Sequence, residues 1–181
     1  CDYRISRVDA RPNSAIAVLK QLELMGRYSH EKFVPEIYRI AGHSQRLALL
    51  QGLLDTDGTV SADGGNVSFS TTSPELAEHV QYLVRSLGGI AKIATRFPHY
   101  TYKGEKLAGR KAYIVHIRYK KPSELFRLER KKVKTRDNGQ YCANLMLRVT
   151  DIQFVRREET QCISIAHPEK LYVTDDFIVT H

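Results

Sequence analysis

The run Gln45-Arg46-Leu47-Ala48-Leu49-Leu50-Gln51-Gly52-Leu53-Leu54, followed directly by Asp55-Thr56-Asp57-Gly58, constrains the fold more than any other stretch of the chain. It reads as a short, strongly apolar helix over residues 45 to 54. Ala48 and Gly52 stand four apart on it and form a stripe of small residues, so another helix can approach backbone to backbone and two such helices can cross tightly. Past the end of a helix the last carbonyls lack an intrahelical partner. Asp57 falls there, and a carboxylate beside carbonyl oxygens is a hard-oxygen site suited to Mg²⁺; two copies side by side would form a two-metal phosphodiester site. A plain turn closing a core helix is the alternative. A calcium loop is excluded, because it wants an acid or Asn at the fifth position and Gly at the sixth, where Thr59 and Val60 stand.

The rest of the chain supplies neighbours for that helix. Residues 14 to 25 predict a helix with Asn13 or Ser14 as N-cap and Gly26 as its stop. After the Asp-Thr-Asp-Gly run, Asp63-Gly64-Gly65 supplies the turn of a hairpin, with Val67 and Phe69 on one face. Ser73-Pro74-Glu75 opens a second helix whose buried stripe is Leu76, Val80, Leu83 and Leu87, ended by Gly88-Gly89. Two strands are predicted near 90 to 97 and 111 to 119, the second with Tyr113, Val115, Ile117 and Tyr119 on one face and Ile114, His116 and Arg118 on the other. A short helix opens at Pro122-Ser123-Glu124. This order predicts an α+β fold with an antiparallel sheet. Past Asp137-Asn138-Gly139 the texture changes to short β-rich runs, which predicts a second unit of strands from about residue 140.

Charge says what the sheet faces. The 181 residues carry 28 Lys and Arg against 20 Asp and Glu, a net +8, yet residues 92 to 136 alone hold 15 cations and 3 acids. That segment is +12 and the remainder is −4, with Phe97, Tyr100, Tyr102, Tyr113 and Tyr119 interleaved among the cations. So concentrated a charge repels itself unless a polyanion answers it, which points to nucleic acid over a merely solvated basic face; because a two-stranded cationic ribbon fits the major groove, the expected partner is double-stranded DNA, with Arg96, Lys103, Lys106, Arg110, Lys111, Arg118, Lys120 and Lys121 as the contacting cations. No apolar run is long enough for a membrane helix and the N-terminus has no signal-peptide core, so no membrane partner and a cytoplasmic location, at the nucleoid while acting on DNA, are expected. Cys1, Cys142 and Cys162 are too widely spaced, and odd in number, for a disulfide framework or a cysteine zinc site.

The nonapeptide Leu50-Gln51-Gly52-Leu53-Leu54-Asp55-Thr56-Asp57-Gly58 closely resembles the LAGLIDADG motif, and the element order after it resembles one αββαββα repeat of the LAGLIDADG homing endonucleases, over roughly residues 30 to 134. The resemblance implies a DNA-gripping β-saddle and hydrolysis of phosphodiesters with Mg²⁺, for which Mn²⁺ substitutes. It implies Asp57 as the metal ligand and Thr56 as donor of a backbone carbonyl. Asp55 is a lesser metal candidate, since its position is commonly structural in the family. A basic residue near the scissile phosphate would be Lys131, Lys132 or Lys134, among which spacing does not choose, and Ser73 is the approximate match to a polar residue that positions water or metal. With one repeat, a second Asp57 must come from a homodimer or from an N-terminal half.

A second resemblance covers about the last 35 residues. The segment Cys162-Ile163-Ser164-Ile165, then Leu171 to His181, resembles the last two blocks of an intein, the β-rich C-terminal strands of a Hint splicing domain. It implies that His181 polarises the carbonyl attacked by a following Asn, and that Cys162 and Thr180 mark the subgroup in which an internal cysteine begins splicing. The opening residues resemble the stretch that joins a first repeat to a second. The expected organisation is a lead-in over 1–29, an endonuclease repeat over 30–136 and splicing strands over 140–181, together the C-terminal part of a larger intein.

Overall fold

The computed structural model of the protein describes residues 13–139 and 145–180. Cys1, Cys142 and His181 lie outside the described residues. The chain runs α1 (Ser14–Gln21), a 3₁₀ turn (Ser29–Glu31), α2 (Glu36–Arg39), α3 (His43–Asp57), β1 (Gly58–Val60), β2 (Val67–Thr71), α4 (Pro74–Ser86), β3 (Ile90–Arg96), β4 (His99–Tyr102), β5 (Glu105–Ala108) and β6 (Ala112–Arg118). A 3₁₀ turn (Pro122–Leu125) and α5 (Glu129–Lys132) follow, and near the end stand β7 (Tyr172–Val173), a turn at Asp175–Phe177 and β8 (Val179–Thr180).

The main sheet is antiparallel throughout, with strand order β1-β2-β6-β3. Its register places Val67, Ile117 and Ala91 side by side, and Phe69 beside Val115, all on one buried face. Leu50 and Leu54 of α3 and Leu76, Val80, Leu83 and Val84 of α4 join them in one core with Leu125 and Phe126. Each such side chain contributes about 1.5–3 kcal/mol when fully buried, so the alternation of β6 fixes which face of the sheet is left for a partner.

Local chemistry explains the element ends. Ser73, 1% exposed, caps α4 by accepting from Leu76 N at 3.1 Å, with Pro74 at the first helical position. The helix stops where Gly88 takes φ +81° and Gly89 N reaches back to Val84 O at 2.9 Å, a reversal that glycine adopts without strain. Residues 134 to 137 are tied back: Arg136 N donates to Gly64 O at 2.9 Å, and the Asp137 carboxylate accepts from Ser123 N at 2.9 Å and Ser123 Oγ at 2.6 Å.

Four expectations differ from the structure. The first helix ends at Gln21, not near 25, because Glu23 adopts φ 56° and turns the chain. The motif helix runs on to Asp57, three residues past the apolar run. The predicted helix at Pro122 is a 3₁₀ turn whose apolar residues Leu125 and Phe126 drop into the core. The predicted unit of strands after residue 140 is, among the described residues, mostly without regular structure; only β7 and β8 pair, two residues each. Leu147, Val149, Ile152, Phe154 and Val155 are exposed there, with no described strand beside them to take their backbone groups.

Candidate nuclease site and nucleic-acid face

The site is built on the end of α3. Leu50 and Leu54 anchor the helix in the core, which leaves Gly52 and Thr56 exposed on another side and Ala48 partly so. Gln51 and Asp55, one turn apart, fasten a third side to the segment after β6. Gln51 Nε2 donates to Glu124 O at 2.8 Å and its Oε1 accepts from Arg127 Nε at 2.9 Å. The Asp55 carboxylate accepts from Arg127 N at 3.1 Å and Leu128 N at 3.2 Å. Asp55 is therefore engaged in positioning the segment that carries α5.

That segment delivers Lys131. Its Nζ donates to Leu54 O and to Gly58 O, both at 2.7 Å, and lies 3.5 Å from Thr56 O. The ring of Phe126 lies 5.8 Å below the ammonium. Burial, and then the neighbouring Arg130, hold the Lys131 pKa below the ordinary lysine value, against the opposing pull of Asp55 and Asp57. No comparable contact brings Lys132 to α3; its carbonyl accepts from Thr135 N and Oγ1 at 2.9 and 2.7 Å.

Asp57 is exposed, and no described residue hydrogen-bonds its carboxylate. Gly58, which follows, is buried and starts β1 at once. A Cβ at Gly58 would meet the Leu54 carbonyl oxygen and would lie 2.8 Å from Leu54 Cα, so the sharp passage from helix to strand needs glycine. Thr56 spends its hydroxyl on Leu53 O at 2.9 Å, while its own carbonyl faces the Lys131 ammonium at 3.5 Å. The donor set suits a hard divalent ion in part: the three carbonyls already solvate one cation, the Lys131 ammonium, and Asp57 adds a carboxylate beside them. Among the described residues no group of three or more His, Cys, Asp or Glu could hold a metal ion.

Ser73 does something else. Its buried hydroxyl donates to Lys32 O at 2.6 Å while capping α4, so it holds structure together and is not placed to position a water.

The outer face of the sheet carries the polar side chains. Across its four strands Thr59, Ser68, His116 and Lys92 stand in one row. Arg118 and Arg96 lie on the same face, at two and four residues along from that row. Alternation within one strand puts His116 on this face, but that Thr59, Ser68 and Lys92 stand in a row with it is legible only through strand register. Beyond β3 the chain continues into an exposed hairpin, β4–β5, whose turn Lys103-Gly104 has positive φ at both residues (50° and 85°). Lys103 and Lys106 ride on it, and Arg110, Lys111 and Lys120 are exposed around β6. Lys103 Nζ lies 5.5 Å from the Tyr102 ring, and Lys121 pairs with Glu124 at 3.3 Å.

Residues 44–129 match the family model described as the LAGLIDADG-like domain. The match supports a LAGLIDADG endonuclease domain in this chain. It takes in α3 from its second residue onward, α4, the whole main sheet, the β4–β5 hairpin and the first residue of α5. The chain is also 30% identical, over 188 aligned residues, to the replicative DNA helicase DnaB of Mycobacterium intracellulare. That alignment covers 98% of this chain and 30% of the helicase, so the chain spans under a third of the length of this relative. LAGLIDADG domains bind DNA and often pair, and among the described residues no helix is long and apolar enough to cross a membrane.

Outside the LAGLIDADG-like domain, Cys162 is exposed in an irregular segment and Thr180 lies on β8 opposite Tyr172. Lys170, at φ 56°, turns back to give its ammonium to Ile165 O at 3.0 Å.

Proposed function

We propose that the protein is a site-specific DNA endonuclease that cuts both strands at an intein insertion site, and that it is fused to the C-terminal part of a protein-splicing domain. The observation that carries the nuclease reading is the meeting of Lys131 with the carbonyl end of α3 beside Asp57, inside the stretch that matches the LAGLIDADG-like domain. The helicase relative supports the intein setting, since 98% of this chain, the C-terminal segment included, aligns with 30% of a replicative DnaB. We place the insertion site in a gene for such a helicase.

The cations on the outer face of the sheet and on β4–β5 grip phosphates, and the row from Thr59 to Lys92 faces base edges. Asp57 and the Thr56 carbonyl would hold Mg²⁺ or Mn²⁺, which when bound polarises the phosphate and lowers the pKa of water. Lys131 holds positive charge at the end of α3, where negative charge builds on the phosphate during attack. Water forms the new bond to phosphorus, the bond to the leaving oxygen breaks, and that oxygen takes up a proton. A duplex needs two such sites, so a second Asp57 comes from another copy or from an N-terminal half, approaching along Ala48 and Gly52.

The test is cleavage of DNA spanning an uninterrupted helicase insertion site with Mg²⁺. Two-strand cutting that Asp57→Asn abolishes is expected; full activity in that variant sinks the reading. Salt-dependent binding without cutting in either Mg²⁺ or Mn²⁺ would select the alternative: a splicing fragment that works with an N-terminal partner and carries a degenerate DNA-binding remnant.

A further inference from the structure

Beyond Phe97 and Pro98 the β4–β5 hairpin stands clear of the core, and every residue of its two strands is exposed. Its register puts Tyr100 opposite Leu107 and Tyr102 opposite Glu105 on one face, and Thr101 opposite Lys106 on the other. Tyr100 is 54% exposed, Tyr102 59% and Leu107 36%. A lone two-stranded hairpin is marginal in water, and neighbouring apolar side chains left open on one mark a surface for contact. The ribbon continues β3 and β6 but is bent. Between the pairs Arg96–Ala112 and His99–Ala108, the two residues Phe97 and Pro98 oppose the three residues Gly109, Arg110 and Lys111, which makes a bulge. Gly109 N donates to Pro98 O at 2.7 Å and closes it. A bulge bends and twists its strand, so the hairpin leaves the plane of the main sheet.

Two chemical demands meet on this element. From Arg96 to Lys111 the chain carries five cations, Arg96, Lys103, Lys106, Arg110 and Lys111, against Glu105 alone, which calls for a polyanion. Phosphates do not satisfy tyrosine rings and a leucine, so the same partner must also offer an apolar surface. Duplex DNA offers both where its base stack opens. We propose that the hairpin enters the minor groove beside the stretch that the main sheet follows, with Tyr102 wedged into a base step and Tyr100 and Leu107 covering the sugars behind it. The proposal rests on the DNA-cutting reading. Tyr102 adjoins the Lys103-Gly104 turn and so enters first, and Lys103 Nζ, 5.5 Å from its ring, brings a cation to the flanking phosphate. Four residues of strand reach roughly 13 Å, more than the minor-groove depth of about 7.5 Å. Such a wedge kinks the duplex toward its major groove, here toward the sheet, and does so most readily at a pyrimidine–purine step.

The test binds the full chain, without Mg²⁺, to a duplex spanning an uninterrupted helicase insertion site. End-to-end energy transfer reads the bend, and 2-aminopurine placed at successive steps reads unstacking. The parent is expected to bend the duplex and to raise the fluorescence at one step to the side of the cut. Tyr102→Ala is expected to remove both signals and weaken binding about tenfold, while Tyr102→Phe keeps them, since stacking needs the ring and not the hydroxyl. The unfolding midpoint of Tyr102→Ala should match the parent's, because the hairpin contributes no side chain to the core. A parent that binds and leaves the duplex straight and stacked overturns the proposal, and so does a Tyr102→Ala chain that bends DNA like the parent. Loss of self-association without loss of bending in Tyr102→Ala would give this face to a second copy instead. A parent that does not bind the duplex overturns the DNA reading itself, and with it the role given to Tyr102.

Discussion

Lys131 Nζ donates to the carbonyl oxygen of Leu54 at 2.7 Å, which ties α5 to the last turn of the motif helix. The C-terminal end of a helix carries partial negative charge, so an ammonium is stabilised there. The Asp55 carboxylate, holding Arg127 N and Leu128 N, keeps the connecting segment where the lysine can reach.

The lysine identified by geometry differs from its neighbours in consequence. Lys131→Met keeps an apolar stem and removes charged hydrogen bonds, so a loss of about 1–2 kcal/mol is expected after allowing for partial exposure. DNA cleavage is expected to fall about 100-fold or more. Lys132→Met is expected to change stability by less than about 0.5 kcal/mol and cleavage little. Urea unfolding and Mg²⁺-dependent cutting, run on both variants, decide it. Equal losses in the two would remove Lys131 from its assigned place.

Asp55 and Asp57 are expected to fail in opposite ways. Asp55→Ala leaves the Arg127 and Leu128 amides without their acceptor, which costs about 1–3 kcal/mol of stability. Asp57 is exposed and no described residue hydrogen-bonds its carboxylate, so Asp57→Asn should leave stability within about 0.5 kcal/mol while cutting falls on the order of 100-fold or more. Thermal melts paired with cleavage rates separate the two carboxylates. An Asp57→Asn chain that is destabilised like Asp55→Ala would show that both serve structure.

How much of this was legible in the sequence differs by element. The hairpin at Asp63-Gly64-Gly65, the capped α4 and the alternation of β6 were readable, because turn chemistry, capping and two-residue periodicity act locally. The β4–β5 hairpin was not, since its turn is Lys103-Gly104 and lacks the Asn-Gly or Asp-Gly signature. The choice of Lys131 over Lys132 and Lys134 was not, because it depends on how the segment after β6 is pinned by Gln51 and Asp55, 76 and 72 residues away from Arg127. The strand-like runs after residue 140 satisfied local β-propensity, but pairing needs a partner strand, and local propensity does not supply one.

Acid should loosen the join between α4 and the chain before α2. Val34 N donates to His79 Nδ1 at 3.0 Å in a buried setting, which requires that nitrogen to be unprotonated. Burial, then Arg39, push the His79 pKa below its ordinary value of 6.5, while Glu75 and Glu78 pull the other way. With the folded pKa depressed, the unfolded chain takes the proton first. The contribution is therefore full above about pH 6.5 and is lost as pH falls toward the folded pKa, by about 1.4 kcal/mol per unit of depression. Unfolding measured at pH 7.5 and 5.5 should show a loss in the parent that is smaller in His79→Gln. Identical slopes would mean His79 is not the group responsible.

Gly52 separates stability from assembly. It is exposed on α3, and a Cβ built there meets nothing within 4 Å, so a side chain fits the single chain without displacement. Glycine inside a helix is less favourable than alanine by about 1 kcal/mol, so Gly52→Ala is expected to stabilise the single chain by about 0.5–1 kcal/mol. A helix crossing backbone to backbone has no room for a larger group. Gly52→Leu is therefore expected to keep the fold, block pairing through the Ala48 and Gly52 face, and abolish two-strand cutting while leaving DNA binding by single chains. Sedimentation of the variants with and without DNA, beside cleavage assays, reads both effects. A Gly52→Leu chain that pairs and cuts like the parent would take α3 out of the interface, and the second Asp57 would then have to arrive by another surface.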